Sequence, residues 1–126
     1  MPVNEGRSGQ RARLLLDAYG EGGFRVGGTW IAGSILLTPG FVRAWGVSHP
    51  DQARSADLLP WLAETQGTEI LIFGSGVRTP SPALTLRAEL RAQGVALEWM
   101  ATGSACRTFN LLCAEGRRVA AALIAV

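Results

Sequence analysis

Two stretches of this chain combine glycine, hydroxyl and arginine residues in a way that could hold an anion. The first is Phe73-Gly74-Ser75-Gly76-Val77-Arg78-Thr79-Pro80-Ser81, which follows an apolar run and leads into a helical pattern. Free amides at such a corner, together with the helix dipole, attract phosphate or carboxylate. No Walker-type lysine accompanies it, because all 12 basic residues are arginine. The dinucleotide fingerprint also lacks its third glycine, since Val77-Arg78-Thr79 follows Gly76. The alternative is a tight strand-to-helix turn. The second stretch is Glu98-Trp99-Met100-Ala101-Thr102-Gly103-Ser104-Ala105-Cys106-Arg107. Ligands of open sheets bind outside the carboxyl ends of the strands. Strands ending at Phe73 and Met100 would, if adjacent, bring Ser75, Thr102, Arg78 and Arg107 to one rim. The alternative there is that Thr102 caps its helix and Arg107 pairs with an exposed carboxylate.

Three further residue types invite chemistry. Glu98 ends an apolar strand, where burial would raise its pKa toward that of a general base. Pairing with arginine or a loop amide is the other reading, and no second carboxylate stands at a meaningful spacing. Cys106 lies early in a helix beside Arg107, a setting that favours thiolate. Ala105, Phe109, Leu112 and Cys113 recur at helical spacing with it, which reads as core. His49 is the sole histidine and sits in the turn-like Ser48-His49-Pro50-Asp51. With Cys106 and Cys113 it makes three soft ligands at no zinc spacing, so no metal site is expected. Seven helical residues also hold the two thiols roughly 10 Å apart, too far for a disulfide.

The elements that must position these residues fall into two halves. From Leu14 to Trp45, short apolar runs alternate with glycines: Phe24-Arg25-Val26, then Trp30 to Leu37, then Phe41 to Trp45 after the turn Thr38-Pro39-Gly40. Ser48 to Arg54 is a loop. Ser55 or Asp57 caps a helix that places Pro60 in its first turn, and Gly67 ends it. Beyond it come a strand at Glu69–Phe73, a helix capped by Ser81 with Pro82 at its first position, and a strand at Val95–Met100. A helix from Thr102 or Ser104 to about Ala114 and a strand over Arg118–Val126 complete the chain. Asn110, in mid-helix, is expected to tie that helix to a neighbouring loop. Alternation with non-alternating apolar strands implies parallel pairing. The fold class is therefore α/β: a three-layer arrangement with a mainly parallel central sheet, helices on its faces and an additional β layer from the N-terminal half.

The whole chain has 126 residues, 48% hydrophobic and 17% charged, with a net charge of +2. That balance excludes a disordered chain and a coiled coil. A charge of +2 without a patch is not a nucleic-acid footprint. Residues 1–12 read as a loose tail and 13–126 as one domain. The stretch before Leu14 lacks the apolar core of a secretory signal, and the longest apolar run, Val119 to Val126, is far short of a membrane span. A cytoplasmic location without membrane insertion is the expectation. An edge strand of the first half, or an exposed Trp30 or Trp45, offers a face for a homodimer.

Several stretches together resemble a known family: Leu37-Thr38-Pro39 with Trp45, Glu69 to Gly76, Glu98-Trp99-Met100 with Thr102, Ala105 to Asn110, and Glu115 to Ala120. It is a small domain-of-unknown-function family whose eukaryotic members include the third mitochondrial complex I (NADH dehydrogenase) assembly factor and an adipogenesis-associated Mth-type domain protein. The resemblance covers about Leu36 to Val126 and is most specific from Glu98 to Arg118. It implies the same three-layer fold, no established enzyme activity and no established cofactor. It also implies a role in binding or assembling a protein partner, one belonging to a membrane-associated respiratory or biogenesis complex. Family-pattern positions and rim residues together give the candidate ligand-binding set Gly74, Ser75, Gly76, Arg78, Glu98, Thr102, Arg107, Thr108 and Asn110, with no catalytic residue among them. Two functions follow from different classes: a non-enzymatic interaction or assembly domain, and a small anionic-ligand or nucleotide-binding protein, enzyme or not, that uses the rim.

Overall fold

The computed structural model describes residues 15–65, 67–78 and 84–126. Within them lie two sheets and three α-helices. The proposed tail and the Ser81–Pro82 cap lie outside the described residues. Strands β1 (Leu16–Gly20), β2 (Gly23–Val26) and β3 (Thr29–Ala32) form a small antiparallel sheet in chain order. The second sheet contains β4 (Ser34–Leu37), β5 (Val42–Trp45), β6 (Ile70–Gly74), β7 (Ala96–Met100) and β8 (Val119–Leu123), in the spatial order β5-β4-β8-β6-β7. The helices are α1 (Ser55–Ala63), α2 (Leu84–Ala92) and α3 (Thr102–Ala114).

The expected mainly parallel sheet is corrected to a mixed one. β6 pairs in parallel with β7 and β8, as the apolar strands of the second half require. β4 pairs antiparallel with both β5 and β8. The reason lies in the turn at Pro39-Gly40. The Thr38 amide donates to the Phe41 carbonyl at 2.8 Å and the Phe41 amide to the Thr38 carbonyl at 3.3 Å, closing a tight hairpin that fixes β5 antiparallel to β4. A second correction concerns Trp30 to Leu37, which reads as one run but makes two strands in different sheets. Gly33 has φ +85 and breaks the run. Its amide turns back to the Gly22 carbonyl at 2.7 Å.

Side-chain alternation places the core on both faces of the five-stranded sheet. Leu36, Leu71, Phe73, Leu97, Ala120 and Ala122 face α1 and α2 through Leu58, Trp61, Leu62, Leu86 and Leu90. Ile35, Leu37, Ile72, Ala121 and Leu123 face α3 and the small sheet through Ala105, Cys106, Phe109, Leu16, Phe24 and Val26. Each large side chain fully buried here, such as Phe73 or Phe109, contributes about 1.5–3 kcal/mol.

Helix ends follow local chemistry. α2 stops at Gly94 and α3 at Gly116, both with positive φ. In each, the amide after the glycine reaches back to the helix: Val95 to the Leu90 carbonyl and Arg117 to the Leu112 carbonyl, each at 3.0 Å. These are Schellman closures. α1 departs from expectation. It begins at Ser55 with no side-chain cap, so Pro60 lies inside the helix and not in its first turn. The helix is short and its Leu58, Trp61 and Leu62 are buried, so packing outweighs the hydrogen bond that Pro60 forgoes.

Candidate functional site

The strands ending at Gly74 and Met100 are neighbours in register, so the two glycine- and threonine-marked corners do meet on one rim. Their polar groups are used within the fold. Thr102 is fully buried, and its hydroxyl donates to the Ile124 carbonyl at 2.7 Å while accepting from the Gly76 amide at 2.9 Å. The Thr102 amide donates to the Gly76 carbonyl at 2.9 Å. It does not cap α3, whose N-cap is Ala101 without a side-chain bond. The Ser75 amide donates to the Met100 carbonyl at 2.8 Å. The buried Ser75 hydroxyl donates to the Arg78 carbonyl at 2.8 Å, with the Met100 carbonyl at 3.2 Å as a second acceptor. Gly74 is held to glycine by space, because a Cβ there would come 2.9 Å from Leu123 and 3.1 Å from the Thr102 Cα.

The other residues of the candidate set take separate positions. Arg78 and Arg107 are exposed, and Arg107 donates to the Ser104 hydroxyl at 3.3 Å instead of pairing with a carboxylate. Thr108 donates to the Met100 sulfur at 3.5 Å. Asn110 binds Leu16 twice, accepting its amide at 3.0 Å and donating to its carbonyl at 2.9 Å, so the helix is tied to the first strand of the small sheet and not to a loop. Glu98 is exposed, which corrects the expected partial burial. Cys106 is corrected as well. Burial pushes its thiol up to about 12, more than the neighbouring Arg107 charge lowers it, so the thiolate is disfavoured. Trp45 is buried beside Phe73 and offers no dimer face, whereas Trp30 is 44% exposed. His49 caps the short 3-10 turn Pro50–Gln52, accepting the Asp51 amide at 3.2 Å. No group of metal-ligating side chains forms among the described residues.

A different concavity escaped sequence reasoning. At the opposite end of the parallel strands, a groove of about 740 Å³ opens between the β4–β5 hairpin, the end of α1 with its following loop, and the α3–β8 turn. Phe41, at the hairpin tip, is 73% exposed on its wall. Trp61 and Val42 supply apolar lining, and Thr38, Thr65 and Thr68 add hydroxyls. Arg43 pairs with Glu64 at 3.0 Å and Arg118 with Glu69. Its walls come from segments near residues 38, 64 and 117, so no local motif announces it. The exposed phenylalanine directly after a Pro-Gly turn was the available signal.

The model of a family described as "Protein of unknown function (DUF498/DUF598)" matches residues 16–124. The chain is 38% identical over 112 residues to the NADH dehydrogenase [ubiquinone] 1 alpha subcomplex assembly factor 3 of Homo sapiens, covering 88% of this chain and 60% of that protein. It therefore spans about three-fifths of the length of that relative. It is 35% identical over 111 residues to an uncharacterized protein of Rhodobacter capsulatus, covering 84% of it. A solution structure from Bordetella pertussis, a Mth938-like domain, superposes with a TM-score of 0.78 at 30% identity over 98% of this chain and 92% of that one.

Proposed function

The chain belongs to the DUF498/DUF598 family, and from that premise we propose that it is a non-enzymatic interaction domain that assists assembly of a membrane-associated respiratory complex. The observation that carries this reading is the 38% identity to a complex I assembly factor across 88% of the chain. Identity over that span makes a shared framework the ground on which the relative's role is carried to this chain. The geometry supports the reading in a second way. The rim hydroxyls and the Gly76 amide already have partners within the chain, whereas the groove at the other end is open and amphipathic. The partner is a protein subunit or a companion factor of that complex. No helix among the described residues is long and apolar enough to cross a membrane.

Native-level tagging in the host, with capture and mass spectrometry, tests the proposal. Subunits or assembly intermediates of NADH dehydrogenase are expected in the captured material, and deletion of the gene is expected to lower the fully assembled complex on native gels. A deletion strain with normal assembly, and no respiratory protein captured, would contradict it.

A further inference from the structure

We propose that the groove at the amino-terminal end of the parallel strands receives an extended segment of a partner protein that sets an apolar anchor side chain beside a carboxylate. The inference rests on the assembly reading and deepens it. The groove wall carries a large apolar side chain in water, since Phe41 is 73% exposed and held at the tip of a closed hairpin. An exposed aromatic ring carried on a closed hairpin is the kind of group that anchors an interface.

The charges select the partner. Three arginines and one glutamate line the groove. Arg43 is matched by Glu64 and Arg118 by Glu69. Arg117 is exposed and makes no ion pair among the described residues. The Schellman closure at Gly116 fixes its backbone at the groove edge. An arginine held beside an apolar wall favours a carboxylate, which it can grip with two parallel hydrogen bonds. An extended segment fits better than a compact ligand because the lining runs from the hairpin tip at Phe41 across the ends of β5, β4 and β8 to Arg117.

The test pans a phage-displayed random peptide library against the purified chain and measures the enriched peptides as synthetic ligands. Enriched sequences are expected to place Asp or Glu near an aromatic or branched aliphatic residue. Phe41→Ala is expected to weaken them roughly tenfold or more, and Arg117→Glu several-fold, with Arg117→Lys retaining most of the binding. Both side chains are exposed, so the melting temperatures should match wild type. Arg107→Glu, at the rim, should bind as wild type. Absence of enrichment, enrichment of basic peptides, or binding indifferent to Phe41→Ala would overturn the proposal. So would a dimer that Phe41→Ala dissociates, or adsorption to phosphatidylglycerol vesicles that Phe41→Ala abolishes. Native capture separates the two levels: a respiratory partner retained by the Phe41→Ala chain overturns the groove assignment and leaves the assembly reading standing. Failure of the wild-type chain to capture one removes that reading itself.

Discussion

The Thr102 hydroxyl donates to the Ile124 carbonyl at 2.7 Å, joining the first residue of α3 to the chain just beyond β8. The same oxygen accepts the Gly76 amide. One buried side chain thus ties together three segments at the carboxyl ends of the parallel strands. The Ile124 amide meanwhile donates to the Gly74 carbonyl at 2.9 Å.

Removing that hydroxyl leaves the part-buried Gly76 amide and the buried Ile124 carbonyl without their partner. Thr102→Val is expected to destabilise the fold by about 2–3 kcal/mol, since an orphaned buried polar group costs its full desolvation. Thr102→Ser keeps the hydroxyl and loses only a methyl, so it should cost about 1 kcal/mol. Urea denaturation of the two variants measures the difference. Equal losses would mean that packing, not hydrogen bonding, fixes the rim.

Asn110 grips both the amide and the carbonyl of Leu16. Asn110→Ala should release the start of β1 from α3, at a cost of about 1–2 kcal/mol. The diagnostic is local. Amide hydrogen exchange should accelerate over Leu16–Gly20 more than over β6 or β8. Uniform acceleration would show that the small sheet does not depend on this clamp.

Burial holds the Cys106 thiol at about 12, above its ordinary 9.0. The unfolded chain therefore gives up this proton first. Stability owed to Cys106 is intact below pH 9.0 and declines as pH rises from there toward about 12. Stability measured just below the ordinary thiol value and about one unit above it should fall more steeply in wild type than in Cys106→Ala. Iodoacetamide should label Cys106 in urea and spare it in the native chain. Native labelling as fast as that of a free thiol would contradict the burial.

Much of the second half was legible because its signals are local. Glu69 to Phe73 is too apolar for anything but a strand covered on both faces, and β6 has that placement. Gly94 and Gly116 stop their helices through bonds that span six residues or fewer. The first half was less legible because its decisive events are single torsions and long-range pairings. Gly33 divides a run that hydropathy reads as continuous, and only the pairing of β4 with β8 shows why the division is needed. Thr102 reads as a cap because a threonine before a helical run usually is one; its real acceptor, Ile124, lies 22 residues away. The rim could be located from strand ends, but whether its polar groups were free could not, since their partners come from the same distant segments. The groove was invisible for a related reason: it is a gap between three turns, and sequence patterns report what is filled.

The central claim is that this domain works by contact, through the groove and not the rim. Native capture with three versions of the chain tests it most directly: wild type, Phe41→Ala with Arg117→Glu at the groove, and Arg78→Glu with Arg107→Glu at the rim. The account predicts that wild type and the rim variant bring down the same respiratory partner, and that the groove variant, though equally folded, does not. Loss of the partner from the rim variant with full retention by the groove variant would contradict it.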